Sequence, residues 1–255
     1  MRNKKSVPRI KWGAEPEFFG PRHYFRESLM IRYLTSCLKK GIVLDAGFGS
    51  GSLLMRLAKY NFKVKGIDLS EDFVKFVEKK LKIKNLYRQI EVKKGNLMKM
   101  DFPDDYFHGV VCGEILEHIK NDSLAVREMS RVLKKGGVFV MTVPANPDLW
   151  DINDERAGHY RRYKKSELKA LLENNGFKVD RIESWGFPLA RIWHRLIFLP
   201  LLEKKLNKPA ENMKMFSKAA KLEKFSPLIA NIFKIDNLFN RFPWGIGLIA
   251  RAIKI

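Results

Sequence analysis

The stretch from residue 42 to residue 60 constrains the fold most. Ile42-Val43-Leu44 is a short apolar run. It ends at Asp45 and gives way to Ala46-Gly47-Phe48-Gly49-Ser50-Gly51, after which Leu53–Tyr60 resumes helical spacing. An apolar run that stops at glycines and restarts as a helix predicts strand, loop, helix, the opening unit of an α/β protein. The glycines permit backbone angles closed to other residues and let a ligand approach the main chain beside a helix N-terminus. The spacing is Gly-x-Gly-x-Gly with an acid two residues before the first glycine. That differs from the Gly-x-Gly-x-x-Gly dinucleotide fingerprint.

The alternation continues along the chain. Strands are expected at 63–68, 90–94, 108–112, 138–143 and 177–183, with helices at 24–38, 71–81 begun by Ser70, 123–133 stopped by Gly136-Gly137, and 166–175. Strands separated by helices predict an α/β fold with a doubly wound, mostly parallel sheet. From Ser184 to Arg241 the pattern changes to apolar blocks carrying Lys and Arg, punctuated by Pro188, Pro200, Pro209 and Pro227. This reads as a helical insertion before a seventh, closing strand in Trp244–Ile255. The expected organisation is an N-terminal helical lid segment (1–40), a core (41–183), a basic amphipathic insertion or cap (184–241) and the closing strand (242–255).

With 49 Lys+Arg against 28 Asp+Glu, the formal charge of +21 favours a polyanionic partner. The excess lies at the two ends, and 184–241 alone holds 11 bases and 4 acids. In Leu189–Leu199, Arg191, His194 and Arg195 fall at i, i+3 and i+4 with Ile192, Trp193, Leu196, Ile197 and Phe198 around the remainder, an interfacial pattern continued by Lys204, Lys205 and Lys208. An anionic membrane surface is the expected partner of this segment. Cys37 and Cys112 offer neither a disulfide framework nor metal-ligand spacing, so a reducing, cytoplasmic setting and no metal are expected. The N-terminus lacks a signal-peptide pattern, and no apolar run approaches the roughly 20 residues of a membrane span.

Five ordered stretches resemble motifs of the class I S-adenosylmethionine-dependent methyltransferases. Val43–Gly51 is similar to their acid-x-Gly-x-Gly-x-Gly motif, with Phe48 and Ser50 departing from the usual small residue and Thr. Gly66-Ile67-Asp68-Leu69-Ser70 ends the second strand, where the family's acid accepts the ribose hydroxyls. Gly95-Asn96-Leu97 follows the third strand, at the adenine. Glu114-Ile115-Leu116-Glu117-His118-Ile119 resembles the signature after the fourth, and Arg131–Gly137 the turn before the fifth. The resemblance implies a Rossmann-like fold of seven strands. It implies S-adenosyl-L-methionine held by Asp45, Gly47, Gly49, Gly51, Asp68, Leu69, Asn96, Leu97 and Glu114.

Methyl transfer needs positioning more than a fixed catalytic set. His118, at the mouth of the expected cleft, is the candidate base. His159, Arg162 and Tyr163, in a His–Arg–aromatic stretch, are candidates for the acceptor, Arg162 by pairing with an anion and Tyr163 by stacking. Tyr24 lies in a segment resembling the aromatic lid of some relatives. No Asn/Asp-Pro-Pro-aromatic motif follows the fourth strand and no Pro precedes Cys112, which disfavours nucleic-acid base methylation. A small or lipid-linked acceptor is expected. RNA or protein methylation, and a non-catalytic cofactor-binding membrane protein, stand as alternatives.

Overall fold

The computed structural model describes residues 9–10, 20–207 and 225–255, the side chains of 205–207 apart. Most of residues 1–19 of the expected lid and the centre of the expected insertion, with Lys208 and Pro209, lie outside the described residues, as does the side chain of Lys205.

Seven strands form one sheet in the order β3-β2-β1-β4-β5-β7-β6. They are β1 (Gly41–Ala46), β2 (Phe62–Asp68), β3 (Ile90–Lys94), β4 (Phe107–Gly113), β5 (Leu133–Pro144), β6 (Phe177–Trp185) and β7 (Gly247–Lys254). Strands β1 to β5 pair in parallel, whereas β7 inserts antiparallel between β5 and β6. Helices α1 (Pro21–Cys37), α2 (Ser52–Leu57) and α3 (Glu71–Ile83) cover one face, and α4 (Asp122–Val132) and α6 (Lys165–Glu173) the other. A short helix α5 (Ile152–Ala157) precedes α6. The expected insertion supplies α7 (Leu189–Trp193), a π-turn at His194–Phe198, α8 (Leu199–Asn207) and α9 (Ser226–Ile232) before β7.

Sequence explains these boundaries locally. The Ser70 hydroxyl accepts from the Phe73 N–H at 3.3 Å and caps α3, as expected. In α3, Phe73, Val74, Val77 and Leu81 recur at helical spacing and are buried. Each such side chain taken out of water contributes about 1.5–3 kcal/mol. One boundary differs from expectation. Helix α4 ends at Val132, one residue short of the expected Leu133, but β5 begins at once rather than after Gly136-Gly137, because Leu133 already takes extended angles and pairs with Phe107. Gly136, at φ +75°, instead sits within the shifted register between Phe107 and Gly109.

Candidate active site

The chain runs outward from β1 through β2 to β3 and then crosses back to β4. The carboxyl ends of β1 and β4 therefore flank the point where strand order reverses, the place where open α/β sheets hold ligands. The glycine loop leaves β1 there, and Glu114 leaves β4.

Within the loop Gly47, Gly49 and Gly51 all have positive φ (+81°, +51° and +78°). A Cβ at Gly47 would lie 2.5 Å from the Ile115 side chain. The Gly49 N–H donates to Asp68 Oδ2 and the Ser70 N–H to Asp68 Oδ1, both at 2.9 Å. A carboxylate has about four lone-pair sites, so Asp68 keeps capacity for two hydroxyls. Leu69, beside it, is 70% exposed. Phe48 turns inward and is buried, and a Cβ on Gly66 would come within 2.7 Å of its ring. The unusual aromatic in the loop is thus a core residue, accommodated by a glycine on β2.

Asp45 is 2% exposed, and its Oδ2 has no hydrogen-bond partner among the described residues. Burial, followed by the charges of Glu27 and Asp68, pushes its carboxyl well above the usual range. Nearby, the Glu27 carboxylate accepts from His23 Nε2–H, Ser52 and Arg56 at 2.8–3.0 Å. Burial would raise Glu27, but His23 and Arg56 outweigh it and hold it at about 2. Periodicity gives no sign of this network, because Glu27 sits among the apolar positions of α1.

After β3 the structure corrects one expectation. Asn96 is exposed and folds its Oδ1 back to the Met98 N–H at 2.9 Å. That turn buries Leu97 in the core, at 7% exposure, so Leu97 does not face an adenine ring. Met98 is the exposed apolar side chain there.

On the other bank of the cleft, Glu114 (φ +58°) has a buried Oε1 without a partner among the described residues, and its Oε2 lies 3.8 Å from Arg26. Glu117 and His118 sit on the 3₁₀ turn Leu116–His118. Burial, then the Glu114 charge, pushes Glu117 well above the usual carboxylate range. Burial, then His159, lowers His118 to about 3. A group held there is a weak proton acceptor at neutral pH, which argues against the expected role of general base. The rings of His118 and His159 meet edge to face, 4.6 Å apart.

Two further expectations are corrected by burial. Arg162 is 8% exposed, and its Nε and Nη2 donate to both oxygens of Asp154 at 2.6–3.0 Å, so its charge is neutralised within the fold. Asp154 also accepts from His159 Nδ1–H at 2.7 Å. Burial would raise Asp154, but its bonds from His159 and Arg162 hold it at about 2. Tyr163 is 4% exposed and donates its hydroxyl to Asp122 at 2.7 Å, which leaves no ring face for stacking. Tyr24 lines neither cavity described below, and its ring instead carries the Arg56 guanidinium at 4.0 Å.

Two adjoining cavities open beside this network. The smaller, of about 30 Å³, is bounded by Glu114, His159, Arg162, Trp185 and His194 among others. The larger, of about 130 Å³, lies among Arg22, His23, Arg26, Trp185, Trp193 and Phe198, between α1 and the insertion. Arg22, which lines both, donates to His194 Nδ1 at 2.8 Å. Neither cavity touches the glycine loop.

A family model described as a methyltransferase domain matches residues 44–141. The demethylmenaquinone methyltransferase of Lactobacillus johnsonii is 31% identical over 53% of this chain and 67% of its own length. This chain belongs to the class I S-adenosylmethionine-dependent methyltransferases. The sterol 24-C-methyltransferase of Yarrowia lipolytica is 29% identical over 71% of the chain and 55% of its own length. The Bacillus subtilis protein YcgJ, an uncharacterised methyltransferase, is 28% identical over 63% of the chain. Its crystal structure superposes at TM-score 0.58, covering 91% of this chain and 96% of that one. The chain spans 66% of the length of YcgJ in the sequence match, and about half to two thirds of the other two relatives. The seven-stranded, mostly parallel sheet with a last strand that closes it after a helical insertion follows the expectation from sequence.

Proposed function

We propose that this methyltransferase transfers a methyl group from S-adenosylmethionine to a small or lipid-linked acceptor that reaches the cleft through the larger cavity. The residues present fit the cofactor. Three positive-φ glycines give the main chain an open cradle, Asp68 retains lone pairs for a diol, and Leu69 offers an uncovered apolar face. Asp45 and the loop would hold the amino acid moiety, Asp68 the ribose and Leu69 the adenine. When bound, the cofactor supplies an electrophilic methyl carbon on a sulfonium. The chain's own part is to place the acceptor atom in line and keep water from it.

The observation that carries the acceptor reading is the lining of the larger cavity. Trp185, Trp193 and Phe198 form its apolar walls, and Arg22 and Arg26 bring positive charge to them. The Arg26 Nε is buried without a partner among the described residues. Aromatic walls with guanidinium groups suit an apolar acceptor that carries an anionic group. The names of two relatives, acting on a sterol and on demethylmenaquinone, agree with an apolar acceptor.

The insertion extends this reading to an anionic bilayer, although not by the face expected from sequence. His194 is buried and donates from Nε2 to Asp151 at 2.8 Å, so it leaves the basic face. Helix α7, the π-turn and α8 expose apolar side chains, Ile192 at 51%, Leu196 at 71% and Leu201 at 48%, together with Arg195, Glu203 and Lys204. Leu228, Ile232, Ile235 and Leu238, in and after α9, are also more than half exposed. Apolar side chains flanked by basic ones are the composition of an interfacial surface. No helix among the described residues is long and apolar enough to cross a membrane.

Radiolabelled methyl transfer into the lipid, RNA, protein and small-molecule fractions of a cell extract tests the acceptor class. Label in the lipid or small-molecule fraction is expected; label confined to RNA or protein would overturn the reading. Sedimentation with anionic and neutral vesicles tests the surface. Binding to the anionic vesicles alone is expected, and negligible binding to both would remove the membrane from the proposal.

A further inference from the structure

The side chains of Glu117, His118 and His159 converge although the two histidines lie on different segments, one following β4 and the other following α5. One ligand atom from each lies within 4.8 Å of the other two, and His118 Nε2 is 4.0 Å from Glu117 Oε1. Two imidazoles and one carboxylate are the donor set of zinc and related transition-metal sites, with bonds of about 2.0–2.2 Å. Drawing the three atoms together by roughly 1 Å would complete such bonds.

Two independent observations point to a cation. First, Glu117 is 0% exposed, and neither carboxylate oxygen has a hydrogen-bond partner among the described residues. Leaving a carboxylate buried and unpartnered is costly, and coordination is one of the few ways to satisfy it. Second, both histidines are anchored by hydrogen bonds within the fold. His159 donates Nδ1–H to Asp154 at 2.7 Å, which fixes the tautomer and leaves Nε2 with its lone pair. His118 hydrogen-bonds the backbone of Ala157. An imidazole anchored on a carboxylate or carbonyl is the usual outer shell of a metal-ligating histidine.

We infer that Glu117, His118 and His159 bind a divalent first-row transition-metal cation of the Zn²⁺ and Co²⁺ class. The set is richer in nitrogen than the all-oxygen sites of Mg²⁺ or Ca²⁺. Of the three, His159 also lines the smaller cavity of about 30 Å³. This departs from the expectation of no metal. Glu117 and His118 adjoin in sequence, but His159 joins them only through the packing of α5. The site stands whether or not the proposed acceptor is correct.

The test is titration of the full chain, stripped with a chelator, with Co²⁺ and then Zn²⁺. One equivalent of Co²⁺ is expected to bind with visible d–d absorption that Zn²⁺ abolishes. Proton NMR of the Co²⁺ form should show two shifted exchangeable imidazole signals, one from each histidine. Glu117→Gln and His159→Gln should each weaken binding at least 10-fold, with circular dichroism reporting whether the variant is folded. Failure of the wild type to bind one equivalent, absence of the imidazole signals, or wild-type affinity in both variants would each overturn the site. The absorption and NMR measurements use the wild type alone, so they decide the matter even if a variant does not fold.

Discussion

The two banks of the cleft are built by opposite means. On the cofactor bank, backbone geometry makes the site: three glycines at positive φ, with Asp45 and Asp68 buried and both raised above the ordinary carboxylate range. On the acceptor bank, a side-chain network makes it: Asp154, Arg162 and His159 satisfy one another, and Asp154 is held at about 2. The contrast is sharpest between two acids: Asp45 keeps a buried oxygen without a partner among the described residues, whereas Asp154 is bonded by both Arg162 and His159. The Asp154 network should therefore contribute stability, and Asp45 ligand capacity.

The largest effect is expected where the network is densest. Asp154→Asn leaves the buried Arg162 charge with only Asp151, at 3.5 Å, as counterion, and breaking the closer buried pair costs about 3 kcal/mol. A loss of about 10 °C in Tm is expected for a chain of this size. The pH dependence has a definite sign. Asp154 is depressed from 3.8 to about 2, so its contribution is complete above about pH 4 and lost as pH falls towards 2. The gap between wild type and variant in thermal melts should therefore narrow over that window. A gap unchanged from pH 6 to pH 2 would mean that Asp154 is not the stabilising charge.

Gly47→Ala attacks the other bank. A φ of +81° costs a non-glycine residue about 1–2 kcal/mol, and the added Cβ would meet Ile115 at 2.5 Å. Overpacking of that kind adds about 1–3 kcal/mol. Calorimetry should show adenosylmethionine binding lost or sharply weakened. Ile115→Ala in the same chain should restore the space but not the backbone angle, so recovery should be partial. Asp68→Ala comes next in size. Loss of charge-assisted hydrogen bonds, each about 1.5–3 kcal/mol, predicts cofactor affinity lower by about 10- to 100-fold. Undiminished binding of both adenosylmethionine and its demethylated product would remove Asp68 from the site.

The same contrast explains what could be read in advance. The cofactor bank depends on local demands: an apolar strand, glycines that alone tolerate positive φ, and an acid at the end of β2. Each leaves a mark on contiguous residues, and so do Ser70 as a cap and β7 as a closing strand. The acceptor bank depends on which distant segments meet. Tyr163 finds Asp122 across 41 residues, and His194 finds Asp151 across 43. No spacing rule announces such pairs, so Arg162 and Tyr163 read as open contacts in the sequence and prove to be internal ones. Leu97 shows the same limit on a smaller scale, because an Asx turn at Asn96 decides which of two adjacent apolar residues faces outward.

The smallest predicted effect separates the two banks by sign. Asp45 is buried with Oδ2 unpartnered, and its pKa in the fold lies above 3.8. The folded chain therefore binds that proton more tightly than the unfolded one, and stability falls as pH rises from about 4 through the raised value. Asp45→Asn removes the titration while keeping the shape. Without cofactor, the variant should melt close to wild type at pH 4 and above it at pH 8, by about 1 kcal/mol. It should still bind adenosylmethionine more weakly, since the proposed contact with the amino acid moiety is lost. An acid whose removal stabilises the fold while weakening the ligand serves binding at the expense of stability, the reverse of Asp154. If Asp45→Asn instead destabilises the chain at both pH values, Asp45 is a structural carboxylate like Asp154, and the distinction between the two banks fails at its most exacting point.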